Sequence, residues 1–356
     1  MNFKPLKIGN IEVPIPIIQG GMGVGISLSN LAGAVAKLGG IGVISAAQPG
    51  YNEKDFKENV LKANIRALKK HIERAKEIAP KGIIGVNIMC AATNYAKLVK
   101  ASLEAGAHMI ISGAGLPLDL PSLCKDSDVN LVPIISSKKA ADVILRYWVK
   151  KHNRLPDAFI YEGPKAGGHL GFKRETLDSL ENYNTEEEIT KILKTLEEYK
   201  EKHNTTIPLI VAGGVYTGTD IASFLKLGAS GVQIGSRFVA THECDAHDNF
   251  KEAYVNSIKD NITIMQSPVG LPGRAINNKF LKGVSESRPK FPKCFNCVQK
   301  CDPKTTPFCI TDALINSVKG DLDKGLIFCG SETYRIDKIV SVEELFDELL
   351  TDLKKA

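Results

Sequence analysis

Phe159-Ile160-Tyr161-Glu162-Gly163-Pro164-Lys165-Ala166-Gly167-Gly168-His169-Leu170-Gly171 is an apolar run that ends in a carboxylate and opens into a loop where four of nine residues are glycine. A short continuous run of Phe, Ile and Tyr reads as a strand buried on both faces, the habit of parallel sheets. Glycines after such a strand let backbone approach a ligand, and a histidine among them titrates near neutrality. The same grammar recurs along the first two-thirds of the chain. Leu38-Gly39-Gly40 precedes Ile41-Gly42-Val43-Ile44-Ser45, Ala105-Gly106-Ala107 precedes Met109-Ile110-Ile111-Ser112-Gly113, and Leu227-Gly228-Ala229 precedes Gly231-Val232-Gln233-Ile234-Gly235. Each is a helix stopped at a glycine and followed within a few residues by a buried strand.

Eight such runs begin near Ile15, Ile41, Ile83, Met109, Leu131, Phe159, Leu209 and Val232. Helical patterns lie between them at Ser29–Lys37, Glu53–Ile78, Tyr95–Glu104, near Pro121, and at Lys138–Lys151, Glu186–His203 and Asp220–Lys226. This alternation predicts an α/β fold, a (β/α)₈ TIM barrel. A doubly wound sheet is the alternative, because alternation does not say whether the sheet closes. Polar and glycine residues gather where the strands end: Gln19-Gly20-Gly21, Asn87, Ser112-Gly113, Ser136-Ser137, Glu162-Gly163, Gly213-Gly214 and Gly235-Ser236. In a barrel these ends share one mouth, where an active site is expected. The barrel is assigned to residues 1–240. Residues 241–356, with helical stretches near His247–Lys259, Asp312–Val318 and Val342–Leu353, form a C-terminal extension packed on it, since no linker composition separates the two.

Composition narrows the function. The 356 residues are 43% hydrophobic and 24% charged, ordinary for a globular chain. The net charge of +6 is dispersed over helical faces, so no nucleic-acid footprint is expected. The opening residues show no signal-peptide core and no apolar run reaches the length of a membrane span, which predicts a cytoplasmic protein with no membrane partner. The eight cysteines do not form a secreted disulfide pattern. Oligomeric state is not legible, and the expected partner is a small-molecule substrate.

Val211-Ala212-Gly213-Gly214-Val215-Tyr216-Thr217-Gly218 and Gln233-Ile234-Gly235-Ser236-Arg237-Phe238 close the seventh and eighth strands. Loops in these two places commonly hold a phosphate through free backbone N–H groups, and neither has Rossmann or Walker spacing. Thr241-His242-Glu243-Cys244-Asp245-Ala246-His247 contains metal-ligand residue types. Its five-residue His spacing shares no helical face, so it reads as a structural loop. Ser267-Pro268-Val269-Gly270-Leu271-Pro272-Gly273-Arg274 reads as a rigid surface loop, either inert or bordering the substrate entrance with Arg274 meeting an anion.

Ile18-Gln19-Gly20-Gly21-Met22-Gly23, Val86-Asn87-Ile88-Met89, Glu162 to His169, Ala212-Gly213-Gly214 and Gln233 to Phe238 occur here in one order. In this the chain resembles the nitronate monooxygenase (2-nitropropane dioxygenase) family, which includes the flavin-dependent enoyl-acyl-carrier-protein reductase II, over roughly residues 10 to 245. The resemblance implies a barrel holding FMN noncovalently. Gly213, Gly214 and Gln233, Ile234, Gly235 and Ser236 would then hold its phosphate. Gly21, Met22, Asn87, Glu162 and Gly167 would line the flavin, with His169 as the catalytic residue at its reactive edge. Two positions depart from the pattern: relatives often carry glutamine where Glu162 stands, and threonine is usual at Ser236. The implied activity is oxygen-dependent oxidation of alkyl nitronates, His169 removing the α-proton of a neutral nitroalkane or stabilising the anion. The alternative is NAD(P)H-dependent reduction of an enoyl thioester. Ile111 to Pro117 and the long Glu53–Ile78 segment look more like the nitronate branch. A non-enzymatic flavin- or metal-binding regulator is a third reading, against which the intact His169 and phosphate loops argue.

Cys294, Cys297, Cys301 and Cys309 form a C-x2-C-x3-C-x7-C module in a proline-containing loop. Four thiolates within sixteen residues suit a zinc site or a [4Fe–4S] cluster. The opening half is similar to the cluster-binding motif of the barrel-built dienoyl-CoA reductases, which places the cluster first; the familiar nitronate monooxygenases lack the module.

Overall fold

The computed structural model describes residues 3–289, 293–299 and 301–356. Thirteen strands occur among them: β1 (Leu6–Ile8), β2 (Ile11–Val13), β3 (Ile17–Gln19), β4 (Ile41–Ser45), β5 (Ile83–Met89), β6 (Met109–Gly113), β7 (Asn130–Ile135), β8 (Phe159–Glu162), β9 (Gly168–His169), β10 (Leu209–Ala212), β11 (Gly231–Ile234), β12 (Ile262–Gln266) and β13 (Pro272–Ile276). Eight of them close into a parallel barrel in the order β3-β4-β5-β6-β7-β8-β10-β11. The sheet therefore closes, and the doubly wound alternative is excluded. Apart from side chains at the strand ends these strands are almost wholly buried, which is why they read as unbroken apolar runs.

The barrel interior is filled by Ile18, Val43, Met109, Ile111, Val132, Ile160 and Ile210, each fully buried. The β1–β2 hairpin joins this cluster through Leu6, Ile8 and Val13 and plugs the end where the strands begin. That leaves the opposite end open for a site. Only one residue pair, Ile18 with Ile41, links β3 to β4. The Gln19 side chain compensates: its amide donates to the Val43 carbonyl at 3.2 Å and its oxygen accepts from the Val43 N–H at 3.0 Å. Gln19 is thus a fastener of the barrel seam.

Helices follow the expected pattern, with Ser29–Lys37 and Tyr95–Glu104 at the expected bounds. The helix expected from Glu53 starts at Val60, because Glu53 and Asp55 sit in preceding turns and both bind the Arg66 guanidinium. Beyond residue 240 two features were not legible as such. A helix occupies Lys279–Glu286, and β12 and β13 form an antiparallel sheet completed by β9. Val342–Lys355 is a helix with an apolar stripe of Val342, Leu345, Phe346, Leu349 and Leu353, buried against Val215, Ile221, Ile234 and Phe238. Its first turn is fastened by a reciprocal Ser341–Glu344 cap. Truncating Leu349 to alanine removes a fully buried side chain there and costs about 2–5 kcal/mol. No helix among the described residues is long and apolar enough to cross a membrane.

Candidate functional site

A cavity of about 510 Å³ opens at the strand ends, and all twelve barrel residues named from the sequence line it: Gly21, Met22, Asn87, Glu162, Gly167, His169, Gly213, Gly214, Gln233, Ile234, Gly235 and Ser236. They come from five different strand ends, so only barrel closure brings them together. Gly21 packs so tightly on Asn87 that a Cβ would stand 2.3 Å from the Asn87 Cβ. Gly213 and Gly214 lie at φ +94° and +86°, a region L side chains rarely adopt. A Cβ on Gly214 would meet only the flexible Lys165 side chain, at 2.9 Å, so this glycine is demanded chiefly by its backbone conformation. No protein acceptor is found among the described residues for the backbone N–H groups of Gly214, Gly235 and Ser236. The Gln233 side-chain oxygen is buried without a partner. Groups of this kind seek a ligand.

His169 sits on β9, held antiparallel against β13 with Gly273 opposite it. Its Nε2 is 2.7 Å from the Ser267 hydroxyl, the donor depending on the imidazole tautomer, and its ring packs edge-on against Phe328 with centroids 4.8 Å apart. Burial drops the imidazole to about 4, so it is neutral at physiological pH. Burial acts oppositely on Glu162, lifting its carboxyl to about 7. A protonated Glu162 presents an O–H donor, which is the capacity glutamine would supply at this position. The two groups lie at one cavity with their proton affinities pushed past each other, the carboxyl up and the imidazole down, the pattern expected of functional carboxyl and imidazole groups.

Residues of the last third complete the wall, and sequence reasoning missed them. Gly330 donates its N–H to the Ser236 hydroxyl at 3.0 Å, and Ser331 donates to the Lys165 carbonyl at 3.1 Å. Gly167 must be glycine because the Cys329–Gly330 backbone crosses it, 2.6 Å from where a Cβ would be. Leu326-Ile327-Phe328 before Gly330-Ser331 is itself an apolar run ending in Gly and Ser, the signal used for the barrel strands. It was overlooked because it falls outside the repeat. Phe328, Tyr254, Val269 and Leu271 also line the cavity. The Ser267–Arg274 segment is accordingly no plain surface loop. Its Arg274 is buried and donates to the Ala166 carbonyl, so it is committed to holding the His169 loop and meets no external anion. Arg237 is likewise structural: it reaches Glu348 at 2.7 Å and the Tyr216 carbonyl at 2.9 Å.

The Thr241–His247 segment is structural, as expected. The Asp245 carboxylate accepts from the Leu28, Asn30 and Leu31 N–H groups, and His247 caps the following helix. The cysteine module differs from expectation. Cys294 is exposed, while Cys297, Cys301 and Cys309 are half-buried, and burial raises the thiols of the last three, Cys309 to about 11. Among the described residues no three His, Cys, Asp or Glu side chains converge closely enough to hold a metal ion. Neither the [4Fe–4S] cluster nor the zinc centre is therefore preassembled. A loop of four uncharged thiols has no internal force drawing the sulfurs to one point.

The model of the family described as nitronate monooxygenase matches residues 4–352 of this chain. A probable nitronate monooxygenase of Staphylococcus aureus (strain Newman) is 24% identical over 299 residues, 79% of this chain and 81% of the relative. A (3aS,4S,5R,7aS)-5-hydroxy-7a-methyl-1-oxo-octahydro-1H-indene-4-carboxyl-CoA dehydrogenase of Rhodococcus jostii is 24% identical over 277 residues, 78% of this chain and 67% of that protein. Among solved structures, FabK from Thermotoga maritima superposes with a TM-score of 0.73 at 26% identity, covering 96% of this chain and 94% of the other. Nitroalkane oxidase from Streptomyces ansochromogenes gives 0.72 at 19% identity, with 96% of each chain covered, and shares the fold. With the barrel, the cavity and a family match spanning nearly the whole length, the chain belongs to the nitronate monooxygenase family, whose members are oxidoreductases.

Proposed function

We propose that this protein is an FMN-dependent oxidoreductase that oxidises alkyl nitronates with oxygen, with His169 as the catalytic residue. The observation that carries the reading is the neutral, Ser267-tethered His169 in the lining of a cavity that also presents unpaired N–H groups at Gly214, Gly235 and Ser236. Those N–H groups suit a phosphate, and the partnerless Gln233 oxygen suits a ring N–H. The residues present thus fit FMN, with Gly21, Met22, Asn87, Glu162 and Gly167 against the rest of it. When bound, the flavin supplies the redox centre that accepts electrons from the substrate. An imidazole held near 4 is a weak base for a neutral nitroalkane, since a general base works best with a pKa near the operating pH. Its neutral N–H is a good donor to an anion, so His169 chiefly orients and stabilises a nitronate already formed.

Reduction of an enoyl thioester at the expense of NAD(P)H is the second reading. Two observations favour keeping it. The cavity of about 510 Å³ also has Val60, Leu61, Leu98, Leu116 and Leu271 in its lining, more apolar room than a small nitronate fills. The Rhodococcus relative, by its name, acts on a CoA thioester. Anaerobic mixing while following the flavin absorbance separates the two: bleaching by an alkyl nitronate alone supports the first, and rapid bleaching by NADH or NADPH supports the second. Protein that neither retains nor rebinds FMN overturns both.

A further inference from the structure

Cys294, Cys297, Cys301 and Cys309 line one small cavity, together with Phe295, Thr306 and Ile310. Its volume is about 20 Å³, whereas one water-sized body needs roughly 10–15 Å³. That space suits a single ion. The chain around it is built for thiolate ligands. Asn296 takes the left-handed conformation at φ +47° and turns its N–H toward the Cys294 sulfur, 3.4 Å away. Cys309 stands immediately before the Ile310–Val318 helix, whose first N–H groups favour a negative sulfur but are outweighed by burial until a cation is present.

We propose that this cavity is a mononuclear site for a borderline-soft divalent cation of the zinc type, ligated by the four cysteines. No three of the side chains converge in the unliganded loop, so binding would have to draw the sulfurs inward; the ion would replace the thiol protons, which pass to solvent. No electron transfer is involved. The site rests on this loop alone and stands or falls separately from the flavin reading.

Its position gives it a consequence. Phe295, Asn296, Cys297, Val298 and Ile310 line both this cavity and the large one. The segment is docked by backbone bonds from Thr93 to the Cys297 carbonyl at 3.2 Å and from Gln299 to the Ala91 carbonyl at 3.0 Å, and Phe295 stacks on Phe56 at 5.5 Å. An ion tying Cys294 to Cys309 would pin the outer wall of the substrate cavity.

The test uses the full chain with its flavin. Metal analysis after anaerobic purification, and Co²⁺ titration of metal-stripped protein, should give about one equivalent per chain with the intense visible bands of tetrahedral cobalt thiolate. Cys294→Ser combined with Cys301→Ser should cut bound metal at least roughly tenfold while flavin content is kept. Should that variant fail to fold, the cobalt spectrum of the unmodified chain decides alone. Iron and sulfide in equal amounts, or four thiols that react freely in the native protein with no cobalt bands, would overturn the assignment.

Discussion

Glu162→Gln isolates the most unusual charge in the cavity. No cation pairs with this carboxyl among the described residues, and burial alone lifts it from an ordinary 4.5 to about 7. At about 1.4 kcal/mol per pH unit, ionising it inside the fold costs at most ~3.5 kcal/mol, and the partial exposure of Glu162 to the cavity reduces this toward ~1 kcal/mol. The sign follows from proton uptake. Between 4.5 and about 7 the folded chain holds a proton that the unfolded chain has released. The associated stability is complete below 4.5 and is lost as the pH rises through about 7. An amide of the same shape has nothing to ionise. Urea unfolding of flavin-stripped protein at several pH values from 5 to 8.5 should therefore show the wild type losing about 1–3 kcal/mol more than Glu162→Gln across that range. The variant should also retain flavin better at the alkaline end, where the wild type presents a carboxylate in place of a donor. Parallel stability curves for the two proteins would refute the reasoning, and with it the idea that a protonated Glu162 stands in for glutamine.

His169→Ala should keep flavin yet lose about 10–100-fold in turnover on a preformed nitronate, because anion stabilisation, not proton abstraction, is its main part; full rescue by the preformed anion would restore the base role. The depressed imidazole, about 4 against an ordinary 6.5, also makes the wild type lose stability as pH falls from 6.5 toward 4, a loss absent from the alanine variant in acid unfolding curves. Ser267→Ala removes one hydrogen bond to His169 and should lower kcat about 3–10-fold while moving the acidic limb of the pH–rate profile, whereas an unchanged profile would make the contact purely structural. Gly214→Val forces a β-branched residue to φ +86° against Lys165 and should weaken flavin retention by at least ~1–3 kcal/mol, read as a rise in Kd by fluorescence titration.

The barrel was legible because each strand is local: an apolar run long enough to be buried on both faces, ended by glycine or a polar residue. The same signal placed a site at one mouth, since a barrel carries every strand end there, and the family resemblance named the twelve residues that line it. The start of the Val60–Ile78 helix was misplaced because Glu53 and Asp55, compatible with a helical turn, are drawn off by Arg66. Less local features stayed hidden. β9 is two residues long and β13 begins Pro272-Gly273, so neither announces a strand; β13 is one because β12 pairs along it, and β9 only because β13 lies beside it.

The sequence by itself determined the parallel alternation, the family motifs and which strand ends carry reactive groups, all properties of neighbouring residues. Tertiary structure decided what those groups are. The hydroxyl that meets His169 lies 98 residues away, and the backbone that makes Gly167 obligatory belongs to Cys329 and Gly330. Arg274, a candidate anion contact by sequence, is folded inward to the Ala166 carbonyl. Desolvation is a property of the assembled surroundings, and only there does a glutamate become a proton donor and a histidine a lasting neutral imidazole.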